Sequence, residues 1–275
     1  MSGVLSTDDA EGFAALTAKI SGESGFGCDS YKERCLRRRI AVRMRARGVH
    51  TFADYASLLD SDAREYERLL DALTINVTKL FRNPETYEAM ARVVIPPLLA
   101  LPVPELRVWS AGCSSGEEPY SLAALFHREA ERTGQLDRLA QLRIVGSDID
   151  RASLAAAERG AFASAAFVDT PPDLRERYFE PGEPARVVPA LRRLVAFERR
   201  DLLRDGTPPG PFHLIVCRNV LIYFDRLTQE RLFRAFGAAL APAGFLVLGK
   251  VETLLGESRA GFAAVEPRER IFRRL

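Results

Sequence analysis

Apolar positions recur along the chain in two different rhythms. Up to about residue 80 they keep helical spacing only: Leu5, Phe13, Leu16 and Ile20 in the first stretch, then Tyr66, Leu69, Leu70 and Leu73 in a segment opened by Ser61. A further helix is expected over about 31–47, stopped by Gly48, and Thr51 with Asp54 three residues on predicts a capped short helix. Asn83-Pro84 sets a cap residue before a proline suited to the first turn of a helix reaching toward Leu101, bent at Pro96-Pro97.

Beyond 101–104 the rhythm changes. LRVWSA (106–111), LRIVGSD (142–148), FHLIVC (212–217) and FLVLG (245–249) are nearly continuous apolar runs, with helical stretches at about 117–132, 151–159 and 226–240. Strands of that kind alternating with helices predict an α/β fold with a parallel sheet covered on both faces. Residues 161–200 break the alternation and read as a small β insertion; FAAVEPRERIFRRL reads as a terminal hairpin around Pro267. The expected division is a helical domain over 1–85 and an α/β domain over 86–275.

Composition narrows the classes. The 275 residues are 47% hydrophobic and 28% charged, an ordinary globular balance that excludes disorder or coiled coil for the whole chain. A net charge of +2 argues neither for nor against nucleic acid. No apolar run approaches the roughly 20 residues needed to span a bilayer, and the acidic N-terminus does not resemble a signal peptide. Four cysteines without a CxxC pair read as reduced thiols, so neither a disulfide nor a metal site is expected, and a cytoplasmic monomer is.

Candidate chemistry gathers at the ends of the expected strands. The first runs into Gly112-x-x-x-Gly116 and then a helix carrying Glu117 and Glu118 at its start. Glycines there let backbone approach a ligand, but two carboxylates would repel a pyrophosphate, and the spacing is not GxGxxG. An acidic lip suits a ligand with positive charge and hydroxyls, as in S-adenosylmethionine; the plainer reading is a tight turn with solvated glutamates. Asp148 ends the second strand where a carboxylate can accept from ribose hydroxyls, or it caps the next helix, a role Asp150 fills equally well. Arg218-Asn219 end the third strand, Asn219 offering an amide to the ligand crevice, with Tyr223 four residues on.

The blocks LTINVTKLFRNPETY (73–87), VWSAGCSSGEEPYSLA (108–123), GSDID (146–150) and GPFHLIVCRNVLIYFD (210–225) together resemble the CheR-type chemotaxis receptor methyltransferases. The resemblance implies a Rossmann-like S-adenosylmethionine-dependent methyltransferase sheet, an all-α N-terminal domain and a small β insertion. It implies methyl transfer to glutamate side chains of chemoreceptors, with S-adenosylhomocysteine as the other product. Carried over by position, Asn76, Thr78, Arg82, Gly112, Glu118, Asp148, Asp201, Leu202, Asn219 and Val220 would contact the cofactor, and Arg82 and Tyr223 would sit at the point of transfer. Leu248-Gly-Lys-Val-Glu252 departs from the Gly-x-Ser-Glu of many relatives.

The segment 31–47 holds eight Lys/Arg and one Glu. Arg34, Arg38 and Arg45 share one face, apart from an apolar stripe of Leu36, Ile40 and Met44. Such a face is usually only solvated; the functional reading is docking to acidic methylation helices of a receptor. A nucleic-acid methyltransferase would need aromatic residues among the basic ones, which are missing, and a non-enzymatic adaptor on the same fold is a third class. No nucleic-acid partner and no membrane insertion are expected.

Overall fold

The computed structural model describes residues 9–74 and 78–275, so Leu5 and Asn76 lie outside the described residues. The described chain forms two units, a helical one that also takes in Tyr223–Thr228 and an α/β one. Among the described residues Thr74 belongs to the helical unit and Thr78 to the α/β unit, so the change comes ahead of the expected 85.

The helical unit contains α1 (Asp9–Ser24), α2 (Glu33–Ala46), α3 (Phe52–Ser61) and α4 (Ala63–Leu73). Its core is made by the periodic positions: Leu16, Ile20, Leu36, Ile40, Phe52, Leu59, Leu69 and Leu73 are all buried. Each contributes about 1.5–3 kcal/mol. Thr51 caps α3 as expected, accepting from the Asp54 amide at 3.1 Å while its hydroxyl donates to Asp54 Oδ2 at 2.7 Å. The next helix starts after Asp62, not at Ser61, because Asp62 Oδ1 accepts the Glu65 amide at 3.1 Å. Glu65 is fully buried yet charged: Arg43 donates to both its oxygens (3.0 and 2.6 Å) and the Tyr55 hydroxyl to Oε1 (2.8 Å). Burial pushes its carboxyl up, but those bonds and the Arg43 and Arg47 charges hold it below its ordinary range.

The α/β unit opens with α5 (Pro84–Val93) and α6 (Ile95–Leu99), two helices where one bent helix is expected, since α6 restarts at Pro96-Pro97. Then follow β1 (Leu106–Ala111), α7 (Glu117–Arg132), β2 (Leu142–Asp148), α8 (Arg151–Arg159), β3 (Ala161–Phe162), α9 (Pro172–Tyr178), β4 (Phe179–Glu180) and β5 (Ala185–Val187). The remainder is α10 (Pro189–Arg192), β6 (Val195–Arg199), β7 (Phe212–Cys217), α11 (Arg226–Ala239), β8 (Leu240–Leu248), β9 (Phe262–Glu266) and β10 (Ile271–Arg274). The main sheet runs β6-β2-β1-β7-β8-β10-β9, parallel through β8, with the terminal hairpin antiparallel at one edge. β3, β5 and β4 make a separate small antiparallel sheet.

The insertion is therefore shorter than 161–200. β6 returns to the main sheet and pairs with β2 over Ile144–Asp148. As an edge strand it is half exposed and its apolar run is short, Val195-Ala196-Phe197 before two charges, which hides it from the pattern. β1 and β7, buried on both faces, are neighbours, while their chain partners lie on opposite sides. That reversal of strand order opens a crevice beyond their carboxyl ends.

Candidate active site at the strand ends

β1 leaves the sheet through a turn that only glycine permits. Gly112 has φ +77, and a Cβ there would come within 2.5 Å of Val220 Cγ2, so the turn packs directly on the segment that follows β7. The amides of Gly112 and Cys113 donate to the Ser147 carbonyl at 2.8 and 2.9 Å, and the Ser114 amide donates to Asp148 Oδ2 at 2.8 Å. Asp148 Oδ1 accepts from the Asp150 amide at 3.0 Å. The Asp150 carboxylate caps α8, accepting the Ala152 amide at 2.9 Å and the Ser153 hydroxyl at 2.7 Å. The capping role thus falls to Asp150, and Asp148 stands at the crevice. Burial raises the Asp148 carboxyl, and the amides it accepts oppose that.

Glu118 is the second carboxylate. Its Oε1 accepts the Ser110 hydroxyl at 2.8 Å, and its Oε2 lies 3.7 Å from Arg218 Nη1. Burial raises its carboxyl against the pull of Arg218 and Arg82. Glu117 turns instead to the Ser115 hydroxyl at 2.8 Å and is buried, so the pair is not two solvated glutamates.

Arg218 directly follows β7 and is only 6% exposed. Its Nη2 donates to the Arg82 carbonyl at 2.8 Å and to Asn83 Oδ1 at 2.9 Å. Asn83 does stand at the cap position of α5, but in left-handed backbone (φ 61) and without a side-chain cap bond; its oxygen serves Arg218 instead. Phe81 is left-handed too (φ 53), and its amide donates to Ser121 Oγ at 2.9 Å. Arg82 is the middle residue of a turn whose backbone costs on the order of 1–3 kcal/mol per left-handed residue and is held by β7 and α7. Thr78 is half-buried in the segment leading into it.

The loop after β6 carries Asp201 and Leu202. The Arg200 amide donates to the Asp148 carbonyl at 2.9 Å, bringing that loop beside the end of β2. Asp201 Oδ1 accepts the Leu203 amide at 2.8 Å. Asn219 has φ 61 and is half-buried, as is Val220. Gly112, Glu118, Asp148, Asn219 and Val220, with Arg82, are thus gathered by the ends of β1, β2 and β7.

Tyr223 and the three surface arginines belong to the helical unit. The Tyr223 carbonyl accepts the Lys32 amide at 2.8 Å, and its ring centroid lies 4.5 Å from the Arg39 guanidinium. Arg39 is 7% exposed, its Nε and Nη2 have no hydrogen-bond partner, and burial lowers its pKa. Arg34, Arg38 and Arg45 are exposed without an ion-pair partner among the described residues, while Leu36, Ile40 and Met44 are buried.

The sequence places Arg218 with Asn219 at the ligand crevice but gives it no role of its own, and gives none to Arg39 or Glu252. For Arg218 the signal is a charge directly after six buried residues, five of them apolar. Arg39 hid inside a basic run. The Cys113 and Cys217 thiols are pushed well up by burial, so neither is a ready nucleophile. His127 faces the Tyr178 hydroxyl at 3.2 Å, and His213 accepts the Arg107 amide at 3.1 Å near the other end of β7. Among the described residues no acidic, histidine or cysteine cluster could hold a metal, and no helix is long and apolar enough to cross a membrane.

Two half-buried carboxylates whose carboxyls are raised by desolvation favour a cation beside them, and Ser114 Oγ is a buried hydroxyl without a hydrogen-bond partner. This donor set fits a sulfonium cofactor with hydroxyls and an amine. Residues 76–271 match the S-adenosylmethionine-binding domain of CheR methyltransferases, and residues 11–74 match the all-alpha domain of the same family. The chain belongs to the CheR methyltransferase family. It is a methyltransferase with S-adenosylmethionine as cofactor. A chemotaxis protein methyltransferase of Listeria innocua is 34% identical over 91% of this chain and 93% of that protein. One from Klebsiella aerogenes is 35% identical over 90% and 84%. The chain also matches, at 37% identity over 93% of its length, an uncharacterized 104.1 kDa protein of Rhodobacter capsulatus, of which it spans 26%. The CheR assignment accords with the Rossmann-like sheet, the all-α domain and the cofactor expected from sequence.

Proposed function

We propose that this CheR-family methyltransferase acts on glutamate carboxylates of chemoreceptor methylation helices, giving glutamate methyl esters. The reading rests above all on the acidic crevice at the ends of β1 and β2, where Glu118 and Asp148 stand without a phosphate cradle. Relatives named chemotaxis protein methyltransferases support a substrate in chemotaxis, and a chemoreceptor is the one we infer. When bound, S-adenosylmethionine supplies an electrophilic methyl group on a positively charged sulfur. Asn76, Thr78, Arg82, Gly112, Glu118, Asp148, Asp201, Leu202, Asn219 and Val220 would hold it.

A glutamate acceptor has an unperturbed pKa of about 4.3 and is already an anion near neutrality. It needs no general base, in keeping with His127 and His213 being engaged elsewhere. The protein's work is alignment of the acceptor oxygen with the methyl group. Arg82 holds a carboxylate in a planar fork and Tyr223 orients the second oxygen. Arg34, Arg38 and Arg45 dock the acidic helices, and the protein works as a cytoplasmic monomer.

Incubation with methyl-labelled S-adenosylmethionine and chemoreceptor cytoplasmic fragments tests the proposal. Brief mild alkali should release the label from protein as methanol. Label fixed through alkali, or carried only by nucleic acid, would reject the ester.

A further inference from the structure

Parallel pairing of β7 with β8 ends at Cys217 opposite Leu248. Beyond that point the ladder stops, and the amides of Asn219 and Gly249 turn to a side chain. Glu252 supplies one. Its Oε2 accepts from Gly249 at 2.7 Å and Asn219 at 3.0 Å, and its Oε1 accepts from Ile222 at 3.3 Å. The side chain is 4% exposed. Backbone amides, those of Gly249, Asn219, Ile222 and Leu221, oppose the cost of burying it.

Two features show that the contact is built in. Asn219 takes left-handed backbone (φ 61), a conformation asparagine tolerates better than most side chains, and in it the amide donates to Glu252. A Cβ on Gly249 would lie 2.7 Å from Glu252 Oε2 and 2.9 Å from the Asn219 amide nitrogen, so residue 249 must be glycine for the carboxylate to reach in. Val220, next in the chain, packs on the Gly112 turn across the crevice. One buried carboxylate therefore fixes where the segment after β7 meets the turn after β1.

We propose that Glu252 is a positioning residue for cofactor binding: it holds Asn219 and Val220 against the Gly112 turn and does not itself touch the cofactor. The inference rests on the reading of Asn219 and Val220 as cofactor contacts. Glu252 is thus the part of the departed Leu248-Gly-Lys-Val-Glu252 motif that matters to the site. Lys250 points to different work, pairing with Glu85 at 3.1 Å and Glu269 at 3.4 Å.

Calorimetric titration with S-adenosylhomocysteine tests the inference on three variants whose folding is checked by circular dichroism. Glu252→Gln keeps the shape but replaces charge-assisted bonds by weaker neutral ones and sets an NH2 against a backbone amide; affinity should fall about 10-fold. Glu252→Ala, if it folds, should lose about 100-fold. Asn219→Ala should lose about 10-fold by direct loss of a contact. A purely structural role would lower the melting temperature of Glu252→Gln and leave its affinity within two-fold of wild type. That result beside a weakened Asn219→Ala would overturn the inference while the Asn219 reading stands. Wild-type affinity in Asn219→Ala as well would reject the contact and the inference with it.

Discussion

The two units use charge in opposite ways. On α2 the arginines at 34, 38 and 45 are exposed and have no ion-pair partner among the described residues, while Leu36, Ile40 and Met44 on another face of the same helix carry the packing. In the α/β unit Glu118, Asp148, Arg218 and Glu252 are buried or half-buried and almost every polar atom is engaged. An exposed charge costs the fold nothing and can be spent on a partner. A buried one holds backbone in place and is expensive to disturb. Position relative to solvent, more than residue type, therefore separates the charges that hold the fold from those left to solvent.

Breaking the buried set should have the largest effect. Arg218→Met leaves Glu118 without its cation and frees the Arg82 turn; urea denaturation should show a loss of about 3–5 kcal/mol. Changing Arg34 to Ala on the exposed face should stay within about 0.5 kcal/mol, and a comparable loss there would erase the contrast. Arg82→Ala comes next: loss of a charge-assisted contact of about 1.5–3 kcal/mol should weaken binding or rate roughly 10- to 150-fold. Tyr223→Phe keeps the ring, so turnover should fall with cofactor affinity unchanged in steady-state and binding assays.

Protonation offers a subtler way to sharpen the comparison. Burial raises the Glu118 and Asp148 carboxyls in the free protein. A cation bound beside them favours their ionised forms, so binding of S-adenosylmethionine should release protons. Affinity should weaken as pH falls through that raised range, and titrations in buffers of different ionisation enthalpy would show it. The smallest effect is expected for Arg38→Glu with Arg45→Glu. The apparent receptor constant should rise and its salt dependence weaken, with stability retained.

What the sequence discloses follows the same division. Features set by neighbours in the chain are legible: the helical stripes, the caps at Thr51 and Asp150, the buried strands and the Gly112 turn. Glu118, Asp148 and Asn219 are legible too, because a polar residue directly after a buried strand has few other places to go. Arg218 with Arg82, 136 residues apart, and Glu252 with Asn219, 33 apart, meet only once the sheet has ordered its strands. The edge strand β6 escaped for the converse reason, since half exposure erases the pattern that marks its neighbours.

The division of labour is tested most directly by calorimetric titration of S-adenosylmethionine into wild type, Glu118→Ala and the Arg38→Glu/Arg45→Glu variant. Glu118→Ala should lose at least about 10-fold in affinity, as expected for a charged contact. The charge-reversed helix should bind the cofactor as wild type does. Cofactor affinity that falls with the reversed arginines and survives loss of Glu118 would contradict that division.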